Sequence, residues 1–216
     1  QSHVLVRIMA DEGIEGIAEA IPRENIYGET QVGMVHVIND HLAPLIVGMD
    51  PFDTEKIHEK MDFIKSNLAA KGGIDVALWD IVGKACGKPI CKLLGGYRDS
   101  IEPSRILWLS SDDVLQQQAK ELNGRGYRAF KVKGGADPDA DIRRIHLLRE
   151  VVTPDTRLYI DGNQLYTYFG AKKVYDATRG ELDYFEEPIN AQNERDRVRL
   201  AHSIDIPITG DEKIGR

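Results

Sequence analysis

Only two of the 216 residues are cysteine, Cys86 and Cys91. Two are too few for a disulfide framework, and with no matching histidine pair they make poor zinc ligands. They are expected to be free thiols, buried or half-buried, in a reducing cytoplasm. No apolar stretch approaches the roughly 20 residues that span a bilayer. The start, Gln1-Ser2-His3-Val4, lacks the basic flank and apolar core of a secretion signal. Positive charge is also in short supply. Twenty-eight Lys and Arg against 35 Asp and Glu leave a formal charge of −7, with no basic run, which argues against a nucleic-acid partner, as the lack of a spanning stretch argues against a membrane. No Gly-rich phosphate fingerprint follows a first strand, and Lys133-Gly134-Gly135 is only a loose glycine pair. The remaining composition, 42% apolar and 29% charged residues, is ordinary for a globular chain.

The first half of the chain mixes strands and helices. Val4 to Ala10 alternates apolar and polar residues, Asp11-Glu12-Gly13 turns, and Gly16 to Ile21 returns as a hairpin. Glu29-Thr30 opens a helical run to Leu45, with Val32, Val35, His36 and Ile38 on one face. A second helix runs from Asp53 to Ile64. From Gly72 to Cys86, Ile74, Ala77, Leu78, Ile81, Val82 and Ala85 form a core-facing stripe, closed by Gly87 and Pro89. From about Ile101 strand and helix alternate strictly. Strands are expected at Ile106–Leu109, Ala129–Lys133, Arg157–Asp161, Tyr184–Glu187 and Ile206–Asp211. Helices are expected over 114–123, 137–150, 170–180 and 191–203.

Three of these strands end in an acid at a fixed interval. Asp161, Glu186 and Asp211 are twenty-five residues apart, and Lys131-Val132-Lys133 closes a strand twenty-eight residues before Asp161. One strand, one crossover helix and two loops use about 25 to 30 residues, so the charged ends fall on one edge of a parallel sheet. In a βα barrel that edge carries the catalytic groups. Any one acid after a strand is most simply a loop starter or helix cap; three at matched positions are not. Converging carboxylates call for a divalent cation, and oxygen-only ligands select magnesium or manganese over zinc or copper. Lys131 and Lys133, two apart in a strand, point the same way. Their repulsion is expected to lower at least one pKa towards neutrality, as a general base needs. The alternative is a pair of lysines protecting an edge strand. The six histidines, His3, His36, His41, His58, His146 and His202, all lie outside the strand ends and read as surface or structural residues.

Lys131-Val132-Lys133, Asp161-Gly162-Asn163, Glu186-Glu187-Pro188 and Gly210-Asp211-Glu212 together resemble the motifs of the enolase superfamily. More narrowly, they resemble its mandelate racemase/muconate lactonizing enzyme branch. The run Gly73 to Asp80 and the stretch from Lys88-Pro89 to Leu94-Gly95-Gly96 are similar to that branch too, so the resemblance spans nearly the whole chain. It implies an α/β fold: a modified (β/α)8 TIM-type barrel, of which about five strands are present, over residues 101–216, and an N-terminal α+β capping domain over 1–100. Five strands against eight lead to the expectation that the polypeptide continues, with three strands after Arg216 and one before Gln1.

The resemblance further implies Asp161, Glu186 and Asp211 as ligands of one Mg2+ (Mn2+ being possible). Lys133 would be the base that removes the proton α to a substrate carboxylate, and Lys131 would tune its pKa. The metal would hold the carboxylate and stabilise the enolate. The expected activity is an isomerase, that is a racemase, epimerase or cycloisomerase, acting on a small carboxylate and assembled as a homo-oligomer. A hydroxy-acid or sugar-acid dehydratase is the alternative; a non-catalytic relative is a third reading, against which the intact lysines and acids argue. An aspartate at the third ligand position favours the lactonizing-type subgroup. The branch's second acid/base follows a later strand, past Arg216.

Overall fold

The computed structural model describes residues 2–211. The chain divides into two compact units, Gln1–Asp99 and Ser100–Arg216. Gln1 and, of the Gly210-Asp211-Glu212 motif, Glu212 lie outside the described residues. Among the described residues no helix is long and apolar enough to cross a membrane.

In the first unit, β1 (Val4–Met9) and β2 (Glu15–Ala20) pair antiparallel, Val4 opposite Ala20 and Met9 opposite Glu15. Alternation buries Val4, Val6, Ala18 and Ala20 and leaves Leu5 exposed. Helix α1 (Gln31–His36) begins where Thr30 Oγ1 accepts the Gly33 amide at 3.0 Å. A π-helical stretch, Val37–Leu42, and α2 (Ala43–Ile46) continue it. Met34 and Leu42 are the residues buried, whereas Val32 and Val35, expected on the core face, are 80% and 41% exposed.

After α3 (Thr54–Met61), which buries Ile57 and Met61, comes the long helix α4 (Leu68–Cys86). It buries Ile74, Ala77, Leu78, Ile81 and Val82 as the stripe predicts, although Ala85 is exposed. Its first amides are not satisfied by its own cap residue, Asn67. The buried Glu29 carboxylate accepts them instead, from Ala69 at 2.8 Å and Ala70 at 3.1 Å. Negative charge at a helix N-terminus is electrostatically favourable as well. Strand β2 lies directly on α4: a Cβ on Gly16 would fall 2.0 Å from the Ala77 carbonyl oxygen. Asp80 Oδ2 then accepts the Ile17 amide at 2.9 Å and a bond from Lys84 Nζ at 2.8 Å. Gly87 caps α4 with φ +59, and a single turn, α5 (Ile90–Leu93), comes after Pro89. Cys86 and Cys91 are free thiols as expected, but both are exposed rather than buried.

In the second unit, β3 (Arg105–Leu107), β4 (Ala129–Lys133), β5 (Arg157–Asp161), β6 (Tyr184–Glu186) and β7 (Ile208–Thr209) form one parallel sheet in chain order. Helices α6 (Asp112–Gly124), α7 (Pro138–Arg149), α8 (Tyr168–Ala177) and α9 (Glu194–Ser203) make the crossovers. Sequential order with right-handed crossovers puts successive helices on one face, unlike the reversed order of a doubly wound sheet. That face is the core: Leu107, Phe130, Val132, Leu158, Ile160 and Phe185 pack with Leu115, Ile145, Leu148, Val174 and Leu200. The outer strands are shorter than the sequence suggests. Pro207 has no amide to give a ladder, and its carbonyl serves the Phe185 amide at 3.0 Å instead.

Candidate active site

The opposite face of the sheet is where the period-two alternation sends Lys131, Lys133, Tyr159, Asp161, Tyr184 and Glu186. Register aligns them in two rows. Lys131 is paired with Tyr159 and Tyr159 with Tyr184; Lys133 is paired with Asp161, Asp161 with Glu186, and Glu186 with Thr209. In the first row Tyr159 and Tyr184 stack, 4.2 Å apart and 16° from parallel. The second row lies at the C-terminal edge and holds Lys133 and the two acids, towards which Lys131 reaches from the first.

There the side chains meet. Lys133 Nζ donates to Asp161 Oδ2 at 2.6 Å and to Asn163 Oδ1 at 2.8 Å. Lys131 Nζ lies 2.9 Å from the same Asp161 oxygen and 2.5 Å from Glu186 Oε1. Asp161 is 1% exposed, so a carboxylate almost without water is shared between two ammonium groups. Burial works against its charge, but the bonds from Lys133, Lys131 and the Asn163 amide prevail and hold its pKa below the ordinary value. Burial also works against Lys131, and there too the two carboxylates prevail, raising its pKa. The expected depression is therefore not found at Lys131, where the facing carboxylates outweigh the cost of burial. Glu186 goes the other way. Burial, and the charges of Asp161 and Asp211, raise its pKa despite Lys131.

Asp211 stands on the same edge, two residues beyond the partner of Glu186. It is exposed, and its backbone amide donates to Glu187 Oε1 at 2.9 Å. Its charge reaches Glu186, but its side chain is not drawn into the lysine cluster. Among the described residues no three His, Cys, Asp or Glu side chains form a ready-made metal cage. The donor chemistry nevertheless fits a hard divalent ion: two near-buried carboxylates, Asp161 and Glu186, already converge on a single cationic nitrogen.

The loops that carry these groups interlock. Asn163 and Gln164 adopt φ +41 and +66, which turns the chain after β5 sharply. The Gly162, Gln164 and Tyr166 amides bond to the Glu186, Glu187 and Pro188 carbonyls at 2.9, 2.7 and 3.0 Å. Gly135, with φ +102, sits where a Cβ would meet the Gly162 carbonyl oxygen at 2.3 Å. Its amide is held by the fully buried Asp141 at 2.9 Å, and Asp141 also accepts the Tyr166 hydroxyl at 2.6 Å and Arg144 at 2.9 Å.

Residues 114–216 match the family described as Enolase C-terminal domain-like. Residues 1–95 match the mandelate racemase/muconate lactonizing enzyme N-terminal domain. This chain belongs to the enolase superfamily, in its mandelate racemase/muconate lactonizing branch. It is 30% identical to N-succinyl-L-Arg/Lys racemase of Bacillus cereus, covering 97% of this chain and 58% of that protein. It is 32% identical to cis-3-hydroxy-L-proline dehydratase of Roseibium aggregatum, covering 98% and 59%. Among solved structures it is similar to a dipeptide epimerase from Enterococcus faecalis V583 complexed with Mg and the dipeptide L-Leu-L-Tyr. The TM-score there is 0.92 at 32% identity, over 97% of this chain and 60% of that one. The chain thus spans about three fifths of the length of the relatives it matches.

For this enolase-superfamily sheet, sequence reasoning named the two lysines and the acids but missed their supports. Tyr159 and Tyr184 could have been found, since each stands two residues before a strand-end acid and shares its face. Asn163 was visible in its motif without a role. The Asp141–Tyr166 bond left no local signal, because its partners come from a helix and a distant loop.

Proposed function

We propose that the protein is a magnesium-dependent enzyme that removes the proton α to a substrate carboxylate, and that it is an isomerase of the racemase, epimerase or cycloisomerase kind. The observation that carries this reading is the meeting of Lys131 and Lys133 on one buried Asp161 oxygen, at 2.9 and 2.6 Å. Asp161, Glu186 and Asp211 are the proposed ligands of one Mg2+. When bound, the ion supplies a Lewis acid that offsets the charge developing on the substrate carboxylate. Lys133 takes the α-proton onto Nζ, leaving an enolate. Asn163 Oδ1, at 2.8 Å, and Asp161 hold that nitrogen in place. Lys131 keeps a positive charge beside it, and the Tyr159–Tyr184 stack floors the site against water. Returning the proton to the same face restores the substrate; inversion needs a donor on the other face. The unit Gln1–Asp99 we assign as the α+β cap of the branch, and the unit Ser100–Arg216 as the partial barrel carrying the site.

Similarity to a dehydratase supports a second reading, in which the same lysine removes the proton and a β-hydroxyl then leaves. Incubating the protein with Mg2+ in deuterated water and a panel of N-succinyl amino acids, dipeptides and hydroxyproline separates the two. Mass spectrometry should show α-deuterium in recovered substrate and its stereoisomer for an isomerase, and loss of water for a dehydratase. No exchange in any compound, together with no Mg2+ binding by calorimetry, would defeat both.

A further inference from the structure

Glu187 stands one residue past the end of β6. Glu186 faces the charged side of the sheet, whereas Glu187 packs against α9, where a carboxylate has no business unless it is paired. It is 0% exposed, and its backbone takes φ +34, a conformation that non-glycine residues adopt only under constraint. Arg197, from α9, meets it with NH1 2.7 Å from Oε2 and NH2 3.4 Å from Oε1; NH1 also reaches the Ile189 carbonyl at 3.3 Å. The Glu187 amide donates to the Thr209 carbonyl at 2.9 Å, and its own carbonyl accepts the Gln164 amide at 2.7 Å. One buried residue is thereby tied to the ends of β5, β6 and β7 and to α9.

One bond in this set is not needed for the fold of the strand. Glu187 Oε1 accepts the backbone amide of Asp211 at 2.9 Å, just past the end of β7. Strand β7 is only two residues long, so its ladder does little to fix Gly210 and Asp211 beyond it. We propose that Glu187, anchored by Arg197, is a positioning residue that holds the Asp211 backbone at the sheet edge and so presents the Asp211 carboxylate to the metal. Its partner acid Glu186 faces the site directly; Glu187 works from behind the sheet. The inference rests on the three-carboxylate reading above.

The test compares three variants by Mn2+ binding, followed by electron paramagnetic resonance, and by hydrogen exchange at the Asp211 amide without added metal. Replacing the ion pair with Glu187→Met and Arg197→Met together keeps the buried volume apolar, so the fold survives while the acceptor for Asp211 is lost. Mn2+ affinity should fall about 10- to 100-fold and the Asp211 amide should exchange faster, whereas Glu187→Gln, which keeps an acceptor oxygen, should stay within a few-fold of wild type. Wild-type Mn2+ affinity and a still-protected Asp211 amide in the folded double variant would overturn the role. So would an Asp211 amide that exchanges at the free-peptide rate in the wild-type protein, a measurement that needs no variant. Asp211→Asn separates this outcome from failure of the metal reading. If it binds Mn2+ as tightly as wild type, Asp211 is not a ligand, while the amide readout still decides whether Glu187 holds that backbone.

Discussion

Lys133 Nζ and Asp161 Oδ2 stand 2.6 Å apart although their residues are 28 positions apart in the chain. They meet because they are register partners on adjacent parallel strands with their side chains on the same face. Neither residue needs a loop to find the other, so the ammonium group is held by the sheet itself.

This geometry predicts a clean separation of roles. Lys133→Ala should leave Mg2+ binding by calorimetry intact and reduce α-hydrogen exchange by about 10²- to 10⁴-fold, the usual contribution of a positioned base. Lys131→Ala removes the neighbouring cation instead. It should move the onset of activity to higher pH, with a smaller loss at the optimum. Retained exchange in Lys133→Ala would assign the base to another residue.

Gly135→Ala should damage the site without touching a charged group. A methyl there meets the Gly162 carbonyl oxygen at 2.3 Å and Leu165 Cβ at 3.0 Å, on a backbone with φ +102. The loops after β4 and β5 must separate, at a cost of about 2 kcal/mol or more. Urea unfolding should register the lower midpoint, and α-exchange should fall with it. An unchanged midpoint would mean that the two loops do not touch in solution.

Asp80 supplies a pH dependence away from the site. Its pKa is held below the ordinary carboxylate value, first by the hydrogen bond from Lys84 and then by that from the Ile17 amide. A depressed folded-state pKa contributes stability that is present above the unfolded value of about 3.9 and is lost as pH falls through the folded one. Comparing wild type with Asp80→Asn, the stability gap should be widest near neutrality and close below about pH 4. The carboxylate is partly exposed, so the gap should be at most about 1 kcal/mol. A gap that stays constant down to pH 2 would remove the charge from the explanation.

Both cysteines should titrate with a disulfide-exchange reagent in the native protein, with no denaturant, because both are free and exposed. Two thiols per chain are expected, and no gain of two hydrogens on reduction. One thiol or none would mean that Cys86 or Cys91 is covered in solution.

Periodicity and spacing were enough to place the charged residues on one edge of the sheet. The intervals between Lys133, Asp161, Glu186 and Asp211 arise from the length of a βα unit, a covalent property of the chain, and the period of two puts Lys131 with Lys133. The stripe of α4 and the cap at Gly87 were legible for the same reason: each depends on neighbours three or four residues away. The core face of the first helical run was not legible, because Val32 and Val35 are as apolar as the buried Met34 and spacing alone does not say which side will find a partner.

What tertiary structure alone decided is how the charges are shared and held. That Asp161 lies between two ammonium groups, that Lys131 is drawn up rather than down in pKa, and that Glu29 caps a helix 40 residues away all depend on strand register and packing. The same holds for Glu187, which the sequence offers only as the second of two glutamates. Sequence spacing determines which residues arrive at the edge; the direction and partner of each side chain depend on groups brought close only by folding, and those set its charge and its freedom to move.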